Sequence, residues 1–157
     1  MNNWWSARQA SVRGWSCSKE DVSVSVEQQN IQIVKDAYAA NARGDRQGFT
    51  ASFTAETEIH EAASLPYGGV HKGIDSFSRL MGLVKEHFSN PKFTQHKMIA
   101  DGDDVILVGE LTITGRKSGK TISFRMVEIW TIVDGKTRKL EVIYGDTAAA
   151  LRAADLI

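Results

Sequence analysis

Apolar positions recur at helical spacing through the first half of the chain and alternate through the second. From Glu27 onward, Ile31, Val34 and Tyr38 fall on one stripe of a helix that Gly44 stops. Asp45 is placed to cap a second, short helix whose inward pair is Phe49 and Phe53, four residues apart. Glu56 to Glu61 reads as a strand. Ser64 to Gly73, with Pro66, Gly68, Gly69 and Gly73, reads as a rigid loop edging a pocket. Ile74, Phe77, Leu80, Met81, Val84 and Phe88 then predict a third helix, ended by Asn90-Pro91.

Beyond that breaker the period changes. Phe93 to Ala100, Val105 to Thr114, Thr121 to Val133 and Thr137 to Tyr144 are rich in β-branched and aromatic residues. The segments between them are turn-like, so they predict a meander of four antiparallel strands. A short helix follows Asp146. Helices first and strands after describe one α+β domain over residues 27–157. Residues 1–26, with Trp4, Trp5 and Trp15 among Ser, Asn and Arg, read as an N-terminal extension.

Charge narrows the partners. Lys+Arg and Asp+Glu are equal at 19 each, which leaves no basic surplus for phosphates, so no nucleic acid is expected. No stretch approaches the roughly 18 apolar residues of a membrane span, and residues 1–26 lack the apolar run of a secretory signal. Cys17 is the single cysteine, so no internal disulfide forms. A cytoplasmic protein is expected.

Alternation sorts Thr121 to Val133 into two faces. Phe124, Met126, Glu128, Trp130 and Ile132 share one; Arg125, Val127, Ile129, Thr131 and Val133 share the other. Glu128 thus stands between Met126 and Trp130, where desolvation raises a carboxyl pKa and lets the group hold a proton near neutral pH. Glu61 ends the short strand beside the Pro/Gly loop, within reach of both core and opening. Two carboxyl groups in different environments divide acid and base roles. On this reading Glu128 is the protonated donor and Glu61, nearer water, the ionised base. The four histidines show no metal-ligand spacing, and neither a metal nor a cofactor is expected.

Between Ile31 and Asp146 the chain resembles the nuclear-transport-factor-2-like superfamily, more narrowly its SnoaL-like and ketosteroid-isomerase-related members. The residues that carry the resemblance are Ala37-Tyr38-Ala39-Ala40-Asn41-Ala42-Arg43-Gly44-Asp45, His60-Glu61-Ala62 leading to Leu65-Pro66-Tyr67-Gly68-Gly69-Val70-His71-Lys72-Gly73, and Val133-Asp134-Gly135-Lys136 leading to Tyr144-Gly145-Asp146. It implies a cone-shaped α+β barrel, with N-terminal helices packed on a curved sheet that encloses a pocket, usually in a dimer. It also implies that Glu61 falls where the isomerases place a proton-shuttling base, and Glu128 where they place a protonated acid in the oxyanion hole. The sequence departs from that pattern at the oxyanion tyrosine, which matches Ala37, with Tyr38 one residue away. Limonene-epoxide-hydrolase-like relatives need an arginine near the strand carboxylate. Met126 stands there instead, and Arg125 has the other parity.

Three readings follow. One is a cofactor-free enzyme performing proton transfer, isomerisation or aldol-type cyclisation on a carbonyl-bearing hydrophobic molecule, with Glu61 and Glu128 catalytic and Tyr38, Tyr67, His71, Met126, Trp130, Val142 and Tyr144 contacting the ligand. The second is a module that only binds a small hydrophobic molecule, and the third an assembly module whose cavity is filled by its own side chains. Val127, Ile129, Val133 and Ile143 on the outer sheet face predict a homodimer.

Overall fold

The computed structural model describes residues 24–157; the expectations for residues 1–23 lie outside them. Helix α1 (Val26–Ala42) opens on a capping box, in which the Gln28 amide N–H donates to Ser25 Oγ and the Gln28 side chain accepts from the Ser25 N–H. Its most buried residues are Asn30, Val34, Ala37 and Ala40, and the small alanines let the helix lie close to the sheet. Buried Asn30 is satisfied because its amide donates to the Ile132 carbonyl at 3.2 Å, which fixes the helix start against the sheet. Asp45 caps α2 (Arg46–Phe49) through the Gly48 N–H at 2.8 Å. Phe49 then stacks on Phe77 with ring centroids 4.0 Å apart.

Six strands form one mixed, curved and unclosed sheet in the order β2-β1-β6-β5-β4-β3. They are β1 (Glu58–Glu61), β2 (Gly69–Lys72), β3 (Phe88–Asp101), β4 (Asp104–Gly115), β5 (Thr121–Val133) and β6 (Lys136–Tyr144). The last four are the predicted meander, and β1 joins its free side in parallel with β6. Helix α3 (Ser76–His87) follows β2, and α4 (Thr147–Ala153) ends the fold with Asp146 as its cap.

Two local expectations are corrected. The Pro/Gly loop is not loop throughout. Gly69 at φ 107° and Gly73 at φ 101° bracket Val70-His71-Lys72, which pair with β1 as a short edge strand. Asn90-Pro91 does not separate helix from strand either, since β3 starts at Phe88 and runs through it. Pro91 falls in a register shift between Ser89 and Lys92, with Asn90 at φ 53°, and β3 is an edge strand where a missing N–H is tolerated.

The core lies between the helices and the inner sheet face, where β5 buries Phe124, Met126, Glu128, Trp130 and Ile132. On the outer face Val127, Ile129 and Val133 are half-buried and Ile143 is exposed.

Candidate active site

A cavity of about 420 Å³ opens among α1, α2, α3 and the inner face of the sheet. Tyr38, Glu61, Tyr67, Met126, Glu128, Val142 and Tyr144 all line it. Register explains their meeting: Glu128 pairs with Val142 and Met126 with Tyr144 across β5 and β6, while β1 runs alongside β6 and ends at Glu61. Cross-strand partners share a face, so the inner rows of three strands converge.

Glu128 is anchored at one oxygen. The Tyr38 hydroxyl donates to Oε2 at 2.5 Å and the Trp130 indole N–H donates to the same atom at 2.9 Å. Oε1 takes no hydrogen bond among the described residues and is left to the cavity that the residue lines. Burial raises the Glu128 pKa, while the Tyr38 and Trp130 donors oppose part of the rise. A protonated Glu128 therefore accepts at Oε2 and carries its proton on Oε1. Both donors withdraw charge from the group, so Oε1–H is a strengthened donor.

Glu61 departs from its expected setting. It is only 9% exposed, and its Oε2 is buried without a hydrogen-bond partner. Burial, the largest cause, pushes its pKa up to about 8, against the Tyr144 hydroxyl, which lowers it. The expectation of a solvated, ionised Glu61 is thus corrected: the β1–β2 hairpin folds Tyr67 over the strand end, and the group holds a proton at neutral pH. The Tyr67 and Tyr144 hydroxyls stand 3.5 Å apart. Burial pushes Tyr67 up to about 12 and raises Tyr144 as well, so both remain donors.

Two residues expected to contact a ligand stand elsewhere. Trp130 is fully buried behind Glu128 and positions it rather than lining the cavity. His71 lies outside the lining because its ring is tied into the hairpin, where Nε2–H donates to the Tyr67 carbonyl at 2.8 Å. The oxyanion-tyrosine position, matched by sequence to Ala37, is a buried helix contact, and it is Tyr38 whose hydroxyl reaches the acid. The cavity also takes Phe93 from the edge strand, and Arg46 and Lys85 from α2 and α3, which the sequence reading passed over. Phe93 had a signal in Gly109: a Cβ there would come within 2.6 Å of the Phe93 ring, so the ring rests on a bare patch of β4. Among the described residues no group of three His, Cys, Asp or Glu is arranged to hold a metal ion, and no helix is long and apolar enough to cross a membrane.

The model of the SnoaL-like domain matches residues 34–139, most of the chain and nearly all of this cavity wall. The chain belongs to the SnoaL-like family. Its fold is that of NTF2-like proteins. One from Burkholderia thailandensis is 30% identical, with a TM-score of 0.74 over 79% of this chain and 95% of that one. A putative SnoaL-like polyketide cyclase from Jannaschia is similar in fold, at 16% identity and a TM-score of 0.70 over 82% of this chain and 94% of that one. An uncharacterized Mycobacterium tuberculosis protein is 22% identical over 120 residues, 76% of this chain and 92% of that protein. In this SnoaL-like domain three tyrosines and two carboxyl groups line one cavity, with Tyr38 bonded to Glu128 and the Tyr67 and Tyr144 hydroxyls side by side.

Proposed function

We propose that this SnoaL-like domain is an acid–base enzyme that moves a proton on a carbonyl-bearing hydrophobic molecule, with isomerisation or aldol-type cyclisation as the outcome. The observation that carries this reading is the lining of one cavity by Glu61 and Glu128, each with a carboxyl oxygen that has no hydrogen bond. A substrate carbonyl oxygen accepts from Oε1–H of Glu128, which stabilises negative charge as it develops there. Glu61, when ionised, removes the proton from the neighbouring carbon and returns it at another position, or leaves the carbanion to attack a second carbonyl. A base with a pKa of about 8 suits this work, since general bases are most effective with a pKa near the working pH. The similarity to a putative polyketide cyclase supports a ring-closing version of the chemistry. The cavity volume, within the roughly 300–1,000 Å³ of ligand pockets, weighs against a filled assembly module.

One observation favours plain ligand binding instead: burial raises the pKa of both acids, that of Glu61 to about 8, which disfavours their charged forms and lets the pocket hold a neutral molecule without reacting. Deuterium exchange at the α-carbon of 2-tetralone, followed by NMR, separates the two. Catalysis predicts exchange that Glu61→Gln slows by about 10²- to 10⁴-fold, the usual worth of an acid–base group. Glu128→Gln, which keeps a donor, should spare part of the rate. Exchange no faster with the parent than with Glu61→Gln would leave binding as the function.

A further inference from the structure

Four residues with ionisable acidic or basic charge line the cavity, and they are segregated by sign. Glu61 and Glu128 lie at the buried end, 9% and 8% exposed. Arg46, the first residue of α2, and Lys85, in the last turn of α3, are exposed and line the opening with Asn41 and Pro91. Neither cation forms an ion pair among the described residues, and no carboxylate other than the two inner ones lines the cavity. The wall between the two ends is apolar and aromatic, with Phe49, Phe77, Leu80, Met81, Phe93 and Leu111. Besides the two inner acids, the apolar lining leaves no other charged side chain in the cavity to compete with the two cations for an anion that enters.

From this arrangement we infer that the ligand is an amphipathic anion. Its carbonyl end lies against Glu61 and Glu128, its ring body lies between Phe49, Phe77 and Phe93, and an oxyanion group such as a carboxylate lies at the mouth between Arg46 and Lys85. The inference rests on the cavity being a ligand site and adds the charge and orientation of what enters. Arg46 offers a planar fork suited to two oxygens and Lys85 a point charge, a pairing that fixes one end of the molecule and so decides which carbon faces Glu61. An uncharged analogue would fit the walls but enter in either direction.

The test compares two fluorescent probes with the same ring skeleton, 8-anilinonaphthalene-1-sulfonate and the neutral N-phenyl-1-naphthylamine, each titrated into the full chain. The sulfonate should bind about tenfold tighter, as two exposed ion pairs together allow, with a gap that narrows as salt is raised. The doubly substituted Arg46→Gln/Lys85→Gln protein should bring the sulfonate down to the neutral probe and leave the neutral probe unchanged. Both substitutions sit on exposed positions, and 2-tetralone should displace either probe. Equal affinities in the parent, or a sulfonate preference that survives the double substitution, would overturn the anion inference and leave the cavity reading intact. Failure of both probes to bind, or binding that 2-tetralone does not displace, would overturn the two together.

Discussion

The hydroxyl of Tyr38 on α1 lies 2.5 Å from Oε2 of Glu128 on β5, a contact between residues 90 positions apart that joins the helical layer to the sheet at the cavity wall. It fixes which carboxyl oxygen is held and which is free. Tyr38→Phe removes one of two donors to a buried acid and should lower the unfolding free energy by about 1 to 3 kcal/mol in urea denaturation. A double-mutant cycle with Glu128→Gln should show coupling of about 0.5 to 3 kcal/mol, and simple additivity would mean that the contact contributes nothing.

Glu61 makes stability pH-dependent with a defined sign. Its folded pKa, about 8, is raised above the unfolded value of 4.5, so the folded state binds the extra proton. The contribution is fully present below pH 4.5 and is lost as pH rises through 8, on the order of 4 kcal/mol across the window. Denaturation of parent and Glu61→Gln from pH 4 to 9 should show the parent losing stability over that window, while the variant loses far less and overtakes it at the alkaline end. Parallel curves would contradict a buried, protonated Glu61.

How much of this was legible before the structure differs by residue. The alternation of Phe124, Met126, Glu128 and Trp130 turns Glu128 inward on sequence grounds alone, because a strand has only two faces. Tyr38 was harder: Ala37 and Tyr38 both lie on the buried side of α1, and only the crossing of the helix over β3 and β4 decides which one faces the acid. Glu61 looked solvated because it ends a strand beside glycines. The hairpin those glycines allow pairs Glu61 with Gly69, and it is this pairing and the packing around it that bury the carboxyl. His71 alternates correctly for a pocket residue, but it belongs to the edge strand that covers the site rather than to the site. Arg46 and Lys85 carry no periodic signal, since only the packing of α2 and α3 brings both to the lining of one cavity.

The Phe93 ring depends on the absence of a side chain at Gly109. Gly109→Ala would put a methyl group 2.5 Å from the Thr94 carbonyl and 2.6 Å from the ring, so the edge strand must shift. The expected cost is about 1 to 3 kcal/mol of stability together with weaker binding of 2-tetralone, measured by thermal unfolding and fluorescence displacement. Unchanged stability and binding would show that β3 yields freely.

We propose that the outer face of the sheet is covered by a second copy of the chain. Val127 pairs with Ile143 and Ile106 with Ile129, which forms an apolar stripe across three strands. Sedimentation velocity at micromolar concentration should give a dimer, and Val127→Glu with Ile143→Glu should give a folded monomer. A monomeric parent would remove this assembly.

The central claim is that Glu61, ionised, takes the proton while Glu128 holds the oxygen, and the pH profile of catalysed 2-tetralone exchange tests it most directly. The account predicts a rate that climbs about tenfold per pH unit below 8, bends at about 8 where Glu61 is half ionised, levels off above it, and is lost in Glu61→Gln across the range. A profile that is flat between pH 6 and 9 at the level of the Gln variant, or one that bends near the ordinary carboxylate value, would contradict it.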